Sequence, residues 1–344
     1  MKGIKNTLRR IDGGFVRLIV IFLISFSVMA LLKPTVFLAP KHLSTMMFLF
    51  PEYGILALGM MLAMISGGID LSIVATANFS GIIAIRFLQL IFPAEAGGAV
   101  AGLLLMAAVV VAVAVGAACG LFVGVLVGEL GIPPMLASLG GADLIMGLSL
   151  IITQGSSVKG IPPVVSAVGT KMLFGILPVT VLVFAVCAVI VGYLVGKTPY
   201  GMRLRMMGSN AVAARFTGIS TKKITMLTYM LSGMLSAVAG LLLISRANSA
   251  KADYGASYIM QALIIVVLGG TNPNGGFGSV KGVTVAILVL QVLSSGLNMF
   301  SQISNFYRNI IWGVVLIGVM AYNHISENRM RSKVLRSKAE IKKD

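Results

Sequence analysis

The sequence predicts an all-α polytopic membrane protein of about ten transmembrane helices, with broken or re-entrant segments and both termini cytoplasmic. Three observations lead there. Hydrophobic residues make up 58% of the 344 residues and charged residues only 11%, with a mean hydropathy of +1.00. A soluble domain carries about 25% charge, so a chain this apolar cannot cover itself with polar surface and its solvent is lipid. Apolar runs of spanning length recur along the whole chain. Basic residues, finally, are collected in a few loops.

The runs fall near 15–32, 43–65, 72–92, 98–127, 134–153, 172–196, 224–245, 256–270, 280–299 and 304–322. A span needs about 20 apolar residues, with a range of roughly 17 to 25. The first run follows a basic start and resembles a signal peptide. At Phe15–Leu32 it exceeds the usual apolar core of one, so it reads as a retained helix. The fourth is long enough to tilt or to contain a break, and the eighth is short enough to be partly re-entrant.

Lys and Arg total 27 against 10 acids, a formal charge of +17. On a soluble protein that balance would suggest nucleic acid; here its distribution argues against it. Five basic residues lie in 1–17, six in 197–223 and seven in 324–344. Such clustering is the positive-inside signature, which places all three segments in the cytoplasm and against anionic lipid. Parity agrees. Six crossings from a cytoplasmic N-terminus return the chain at 197–223, and four more leave the tail inside. The expected organisation is a transmembrane domain over 1–325, with the loop 197–223 within it, and a basic cytoplasmic tail over 326–344. The longest outside loop is 154–171.

Within the fourth span, Gly116, Gly120, Gly124 and Gly128 recur every four residues. They share one helix face and let another backbone approach closely. Cys119 and Cys187 lie inside apolar runs and read as buried small hydrophobes. His42 and His324 have no ligand-like spacing, and no metal site is expected. No catalytic constellation is present. Gly192-Tyr193-Leu194-Val195-Gly196-Lys197-Thr198 looks like a phosphate loop, but only three residues separate its glycines where four are required. The Asn78-Phe79-Ser80 sequon sits inside a span and is read as chance.

Three segments depart from plain helix. Ser66-Gly67-Gly68-Ile69-Asp70-Leu71-Ser72 places a glycine pair and an acid near membrane depth. Asp70 either caps the third span or sits beside a path, and the two roles are compatible. Leu268-Gly269-Gly270-Thr271-Asn272-Pro273-Asn274-Gly275-Gly276-Phe277-Gly278-Ser279 allows no continuous helix. It is either a cytoplasmic turn or a broken helix of the kind that marks transport paths. The stretch from Pro199 to Ile219 sets small alanines between Gly208 and Gly218 with a basic rim. It reads as a lipid-hugging loop or as a docking element for a cytoplasmic partner.

These motifs resemble those of the inner-membrane permease subunits of ATP-binding-cassette importers for simple sugars, the ribose, galactose, xylose and autoinducer-2 group of the branched-chain permease superfamily. Gly68-Ile69-Asp70-Leu71-Ser72, Gly208-Ser209-Asn210-x-x-Ala213-Ala214-x-x-x-Gly218-Ile219 and Leu268-Gly269-Gly270-Thr271 with Gly275-Gly276-x-Gly278 carry the resemblance over roughly 45–325. This chain departs from it at Val74-Ala75, where a Gly-Ser pair is usual, and at Met146-Gly147, where an Arg-Gly pair is.

The resemblance implies a multi-pass inner-membrane permease working with a cytoplasmic ATPase, a second permease copy or paralogue, and an extracytoplasmic solute-binding protein. The chain is then not an enzyme. ATP and Mg belong to the ATPase, and this chain carries no cofactor. Gly208, Asn210, Ala213, Ala214, Gly218 and Ile219 would form the docking helix, with Arg203, Arg205 and Arg215 as its rim. Gly68, Asp70, Ser72, Asn78, Gly269, Gly270 and Thr271 are the candidates for the translocation path. A branched-chain amino-acid or nucleoside permease is the alternative within importers. An ion-coupled secondary transporter is the alternative outside them. It would want carboxylate or histidine relays, and mid-span acids are few, chiefly Asp70 and Asp143, with Arg86 snorkelling from a helix end.

Overall fold

The computed structural model describes residues 13–91, 98–173, 175, 177–300, 310–318 and 321. The chain divides into two units, 1–300 and 301–344. In the second, residues 310–318 are helical. The rest of the expected tenth span, the basic tail, the boundary at 325/326 and the basic residues before Gly13 lie outside the described residues.

The first unit is built of helices. In chain order they are α1 (Gly13–Leu32), α2 (Pro34–Phe37), α3 (Pro40–Ile65), α4 (Ile73–Ile91), α5 (Gly98–Gly128), α6 (Pro134–Thr153), α7 (Pro163–Thr170), α8 (Val179–Lys197), α9 (Pro199–Ser209), α10 (Ala211–Phe216), α11 (Thr221–Ala247), α12 (Tyr258–Leu268) and α13 (Val280–Leu297). Eight of them, α1, α3, α4, α5, α6, α8, α11 and α13, are long and apolar enough to cross a membrane. Helices dominate because backbone groups in lipid must be satisfied within the segment.

One expected boundary needs adjustment. The run at 172–196 begins with a small antiparallel hairpin, pairing Met172 with Pro178 and Leu173 with Leu177, and its helix starts only at Val179. The loop 154–171, expected outside, contains the short helix α7. The long α5 is continuous helix over 31 residues, with no break.

Helix α3 is the central post, buried continuously from Phe50 to Ile65. Helix α11 packs against both α3 and α5, and the glycine ladder explains the second contact. A Cβ at Gly116 would collide with the Gly233 carbonyl, and one at Gly120 with the Tyr229 carbonyl. One at Gly124 would lie 2.9 Å from Met226 Cα, and one at Gly128 3.1 Å from the Lys222 carbonyl. The pairing of 116 with 233 and 128 with 222 makes the helices antiparallel, backbone against backbone, as small residues allow in membranes. Gly120→Leu is therefore expected to prevent assembly of the bundle, read as loss of the monodisperse peak in size-exclusion chromatography of detergent extracts. A normal peak would mean that the ladder does not hold α5 to α11.

Helix α12 has 11 residues, about 16 Å of rise against roughly 30 Å of hydrocarbon. It cannot cross alone, but the eighth segment is a broken span rather than a re-entrant one, because the chain enters it at the end where Ala250 meets Val158 and leaves it at the end where Gly276 meets Ile65. Residues 248–257 run into the bundle ahead of it. Ala250 exchanges two backbone hydrogen bonds with Val158, at 2.8 and 3.0 Å. Asn78 of α4 donates to the carbonyls of Ala252 and Tyr254 at 2.9 and 2.8 Å. Ala250 and Ala252 are buried.

Candidate functional site

The bundle has two distinct ends. At one lie the links 66–72, 129–133 and 269–279 together with α9, α10 and the basic loop. At the other lie 154–171 and 248–257. The three motif segments singled out in the sequence all fall at the first end, and they touch.

The junction is made of backbone. The Gly276 amide donates to the Ile65 carbonyl, 2.9 Å away, at the C-terminus of α3. A Cβ at Gly208 in α9 would strike both that carbonyl and the Gly276 amide. A Cβ at Gly275 would lie 2.7 Å from the Gly208 carbonyl and 2.9 Å from Gly67 Cα. Gly275 and Gly276 also have φ of 93° and 84°, a conformation that side-chain-bearing residues rarely adopt. Glycine is required here twice, for the turn and for the close approach.

Beside the junction, Asp70 is 1% exposed. Its Oδ1 accepts from the Ser72 amide at 3.0 Å and the Ser72 hydroxyl at 2.6 Å. Its Oδ2 accepts from the Ser232 hydroxyl of α11 at 2.8 Å. Asp70 thus closes a turn just ahead of α4 and ties that turn to α11. The Ser138 hydroxyl of α6 donates to the Ile69 carbonyl at 3.1 Å. Pro134 and the Tyr229 hydroxyl crowd the Cα of Gly68, leaving no room for a side chain. The Gly68–Ser72 motif is therefore where α3, α4, α6 and α11 meet.

The other candidates are placed as follows. Asn78 is buried and holds the 248–257 segment through its amide, while its Oδ1 has no protein partner. Gly269 abuts α13, where a Cβ on it would lie 2.7 Å from the backbone of Val283, and Gly282 abuts Gly269 in return. Gly270 has φ of 83°. Thr271 is buried with its hydroxyl unpartnered.

In the basic loop, the Asn210 side chain caps α10, accepting from the Ala213 amide at 2.9 Å. This is the usual role of Asn at a helix start. Ala213 is exposed and Ala214 buried. Gly218, with φ of 81°, and half-buried Ile219 return amide bonds to Arg215 and Ala214, closing the C-terminus of α10 in the manner of a glycine cap. Arg203 points to solvent, and exposed Arg215 donates to Thr221 Oγ1 at 3.0 Å. Arg205 differs from the expected rim: it is half-buried, with its Nε enclosed and unpartnered. Tyr200 of α9 shares a 2.9 Å hydrogen bond with Thr228 of α11. Burial pushes its phenol up to about 12, against a smaller lowering by Thr228, so it stays neutral.

A second polar cluster lies outside all three motifs. Glu52 in α3 is fully buried. Its carboxylate accepts from Arg246 Nε, from Arg246 Nη2 at 3.0 Å and from the Tyr258 hydroxyl at 3.0 Å. The neighbouring Tyr53 hydroxyl donates to Gln291 of α13, and its ring meets that of Tyr258 edge-on at 5.7 Å. One acid following Pro51 inside an apolar run is the only sequence signal for it, and it adds Glu52 to the mid-span acids.

Among the described residues, eight helices long and apolar enough to cross a membrane, the buried α3 among them, with an exposed basic helical loop at one end, define a multi-pass membrane protein. The profile of the family described as "Branched-chain amino acid transport system / permease component" matches residues 42–320. The chain belongs to this family of transport permeases. It is 33% identical over 307 residues to the ribose import permease protein RbsC of Bacillus subtilis, covering 89% of this chain and 90% of that protein. It is 33% identical over 282 residues to the autoinducer 2 import system permease protein LsrD of Yersinia enterocolitica, covering 80% and 81%. No solved structure matches the chain.

Proposed function

We propose that this chain is the membrane permease of an ATP-driven importer for a simple sugar or sugar-like solute. Its similarity to a ribose permease along nine-tenths of that protein's length carries the reading. The family description mentions branched-chain amino acids, but the two relatives described above, each aligned over four-fifths or more of this chain, are a ribose and an autoinducer 2 permease. ATP is hydrolysed on a separate ATPase, which also holds Mg. A second permease and an extracytoplasmic binding protein complete the transporter. The basic-loop end faces the cytoplasm, residues 1–325 form the membrane domain, and 326–344 are a basic tail.

In this reading α10 docks the ATPase. Phe216 is 89% exposed and Val212 63% exposed on this six-residue helix. Apolar side chains projecting among Arg203 and Arg215 suit a protein cleft better than solvent. Movement of α10 passes through α9 to Gly208, and from there to α3 and the 275–276 turn, so ATPase closure acts on the whole motif junction. Gly68, Asp70, Ser72, Gly269, Gly270 and Thr271 are the elements that this movement would rearrange at the inner end of the path.

Phe216→Asp is expected to leave the folded permease intact, because the side chain has little to lose. It should cut co-purification of the ATPase, and ATP-dependent ribose uptake by vesicles, at least tenfold. Unchanged uptake would remove α10 from the ATPase contact, and uptake that needs no ATPase but follows an ion gradient would remove the importer reading itself.

A further inference from the structure

We infer that the outward face of α6 lines a water-filled solute path, with the Asp143 carboxylate as its charged, specificity-determining group. This rests on the permease reading above. Helix α6 has 20 residues, about 30 Å of rise, and Asp143 stands at its middle. One face of the helix packs into the bundle through Ala137, Ser138, Gly141, Ile145 and Ser149. Asp143 is on the other face and is exposed, and among the described residues it has no hydrogen bond or ion pair. A carboxylate at mid-membrane that faced hydrocarbon would be costly, and ionisable groups in spans face protein or a water-filled cavity. No described residue of this chain covers it.

The surroundings of Asp143 are open among the described residues. Gly140 and Gly147, one turn away on either side, have nothing within 4 Å of the place a Cβ would take. The remaining neighbours at helical spacing, Leu139 and Met146, bring no cation. Two copies of this face packed dry against each other would bury two like charges without compensation, so across a two-fold axis they leave a hydrated space. The foot of the same helix is seated in the motif junction, through Pro134 on Gly68 and Ser138 on Ile69. A movement that begins at α10 therefore reaches α6. Chemically, a lone carboxylate accepts hydrogen bonds from hydroxyl groups and repels anions. The path then favours neutral polyols or cations over phosphorylated or carboxylate solutes.

The test uses water-soluble methanethiosulfonate reagents on the assembled transporter in vesicles. Cys119 and Cys187 are replaced by Ala and a probe thiol is placed by Gly147→Cys, with Gly140→Cys as the second position should the first fail to insert. Val189→Cys on α8, an apolar position 71% exposed and away from α6, is the control. The probe thiol is expected to react at least tenfold faster than the control. The ratio of cationic to anionic reagent rates should fall at least fivefold when Asp143→Asn is added. A probe thiol as inert as the control, or a rate ratio indifferent to Asp143→Asn, overturns the inference. ATP-dependent uptake of a panel of simple sugars, ribose first, is measured in parallel with the same vesicles. Uptake with an inert probe rejects only the placement of α6, whereas a reactive, charge-sensitive probe without ATP-dependent uptake rejects the importer reading and leaves the water-filled path standing.

Discussion

Arg246→Leu is expected to destabilise the permease more than any exposed substitution in it. The change leaves the Glu52 carboxylate, which is fully buried, facing a lost guanidinium. Removing one partner of a buried pair costs about 3–5 kcal/mol, because the remaining charge stays desolvated. Tyr258 alone would still donate to the carboxylate. The loss is read as a lowered midpoint in a thermal size-exclusion assay. Adding Glu52→Gln to Arg246→Leu removes the stranded charge and is expected to restore much of the stability. If Arg246→Leu melts like the parent, or if the double variant is as weak as the sum of both single ones, the pair does not act as a unit. The cluster also joins α3, α11, α12 and α13 at points far apart in sequence, so its failure should loosen the short α12 before the rest.

Gly208→Val is the second change with a large expected effect. A side chain there meets the carbonyl of Ile65 and the amide of Gly276, both backbone atoms held by their mutual 2.9 Å hydrogen bond. Backbone cannot swing aside as a flexible side chain can, so α9 has to move off α3 and the 275–276 turn. Overpacking of this kind costs roughly 1–3 kcal/mol or more. ATP-dependent uptake should fall to background even in the fraction that inserts. Gly218→Ala makes the useful contrast. Its site is open, with only a left-handed φ of 81° to strain, a penalty of about 1–2 kcal/mol, and uptake should largely persist. Equal uptake by Gly208→Val and the parent would mean that the junction of the three loops is not the route of coupling.

Much of the fold was legible because lipid imposes a simple rule. A segment of about 20 apolar residues has few alternatives to helix, which is why the runs at 43–65, 134–153 and 280–299 lie within a few residues of α3, α6 and α13. The shortness of the eighth run likewise announced α12. The start of α8 was less legible, because Met172, Leu173 and Leu177 are apolar in a hairpin as they would be in a helix. The same ambiguity hid α7 inside a segment that its glycines and prolines marked as loop.

The candidate site was legible as three separate motifs and not as one place. Gly67, Gly208 and Gly276 are scattered along the sequence, and nothing in their local spacing says that they meet. Asp70 read first as a cap, a role that left room for a place beside the path. Its contact with Ser232, across 162 positions, belongs to neither reading alone. Glu52 is hard to see in the sequence because a single acid barely lowers the hydropathy of a 26-residue helix, and its partner Arg246 looks like an ordinary basic residue at a span end.

By itself the sequence determined the solvent of this protein, the helical character of its spans, the grouping of its basic loops and the motifs that mark its family, because each depends on composition or on periodicity within a short window. Tertiary structure alone decided which helix became the central post, which glycines touch and, among the described residues, which carboxylates are tied and which is left exposed. Those outcomes depend on contacts between residues hundreds of positions apart, and local sequence carries no record of that distance.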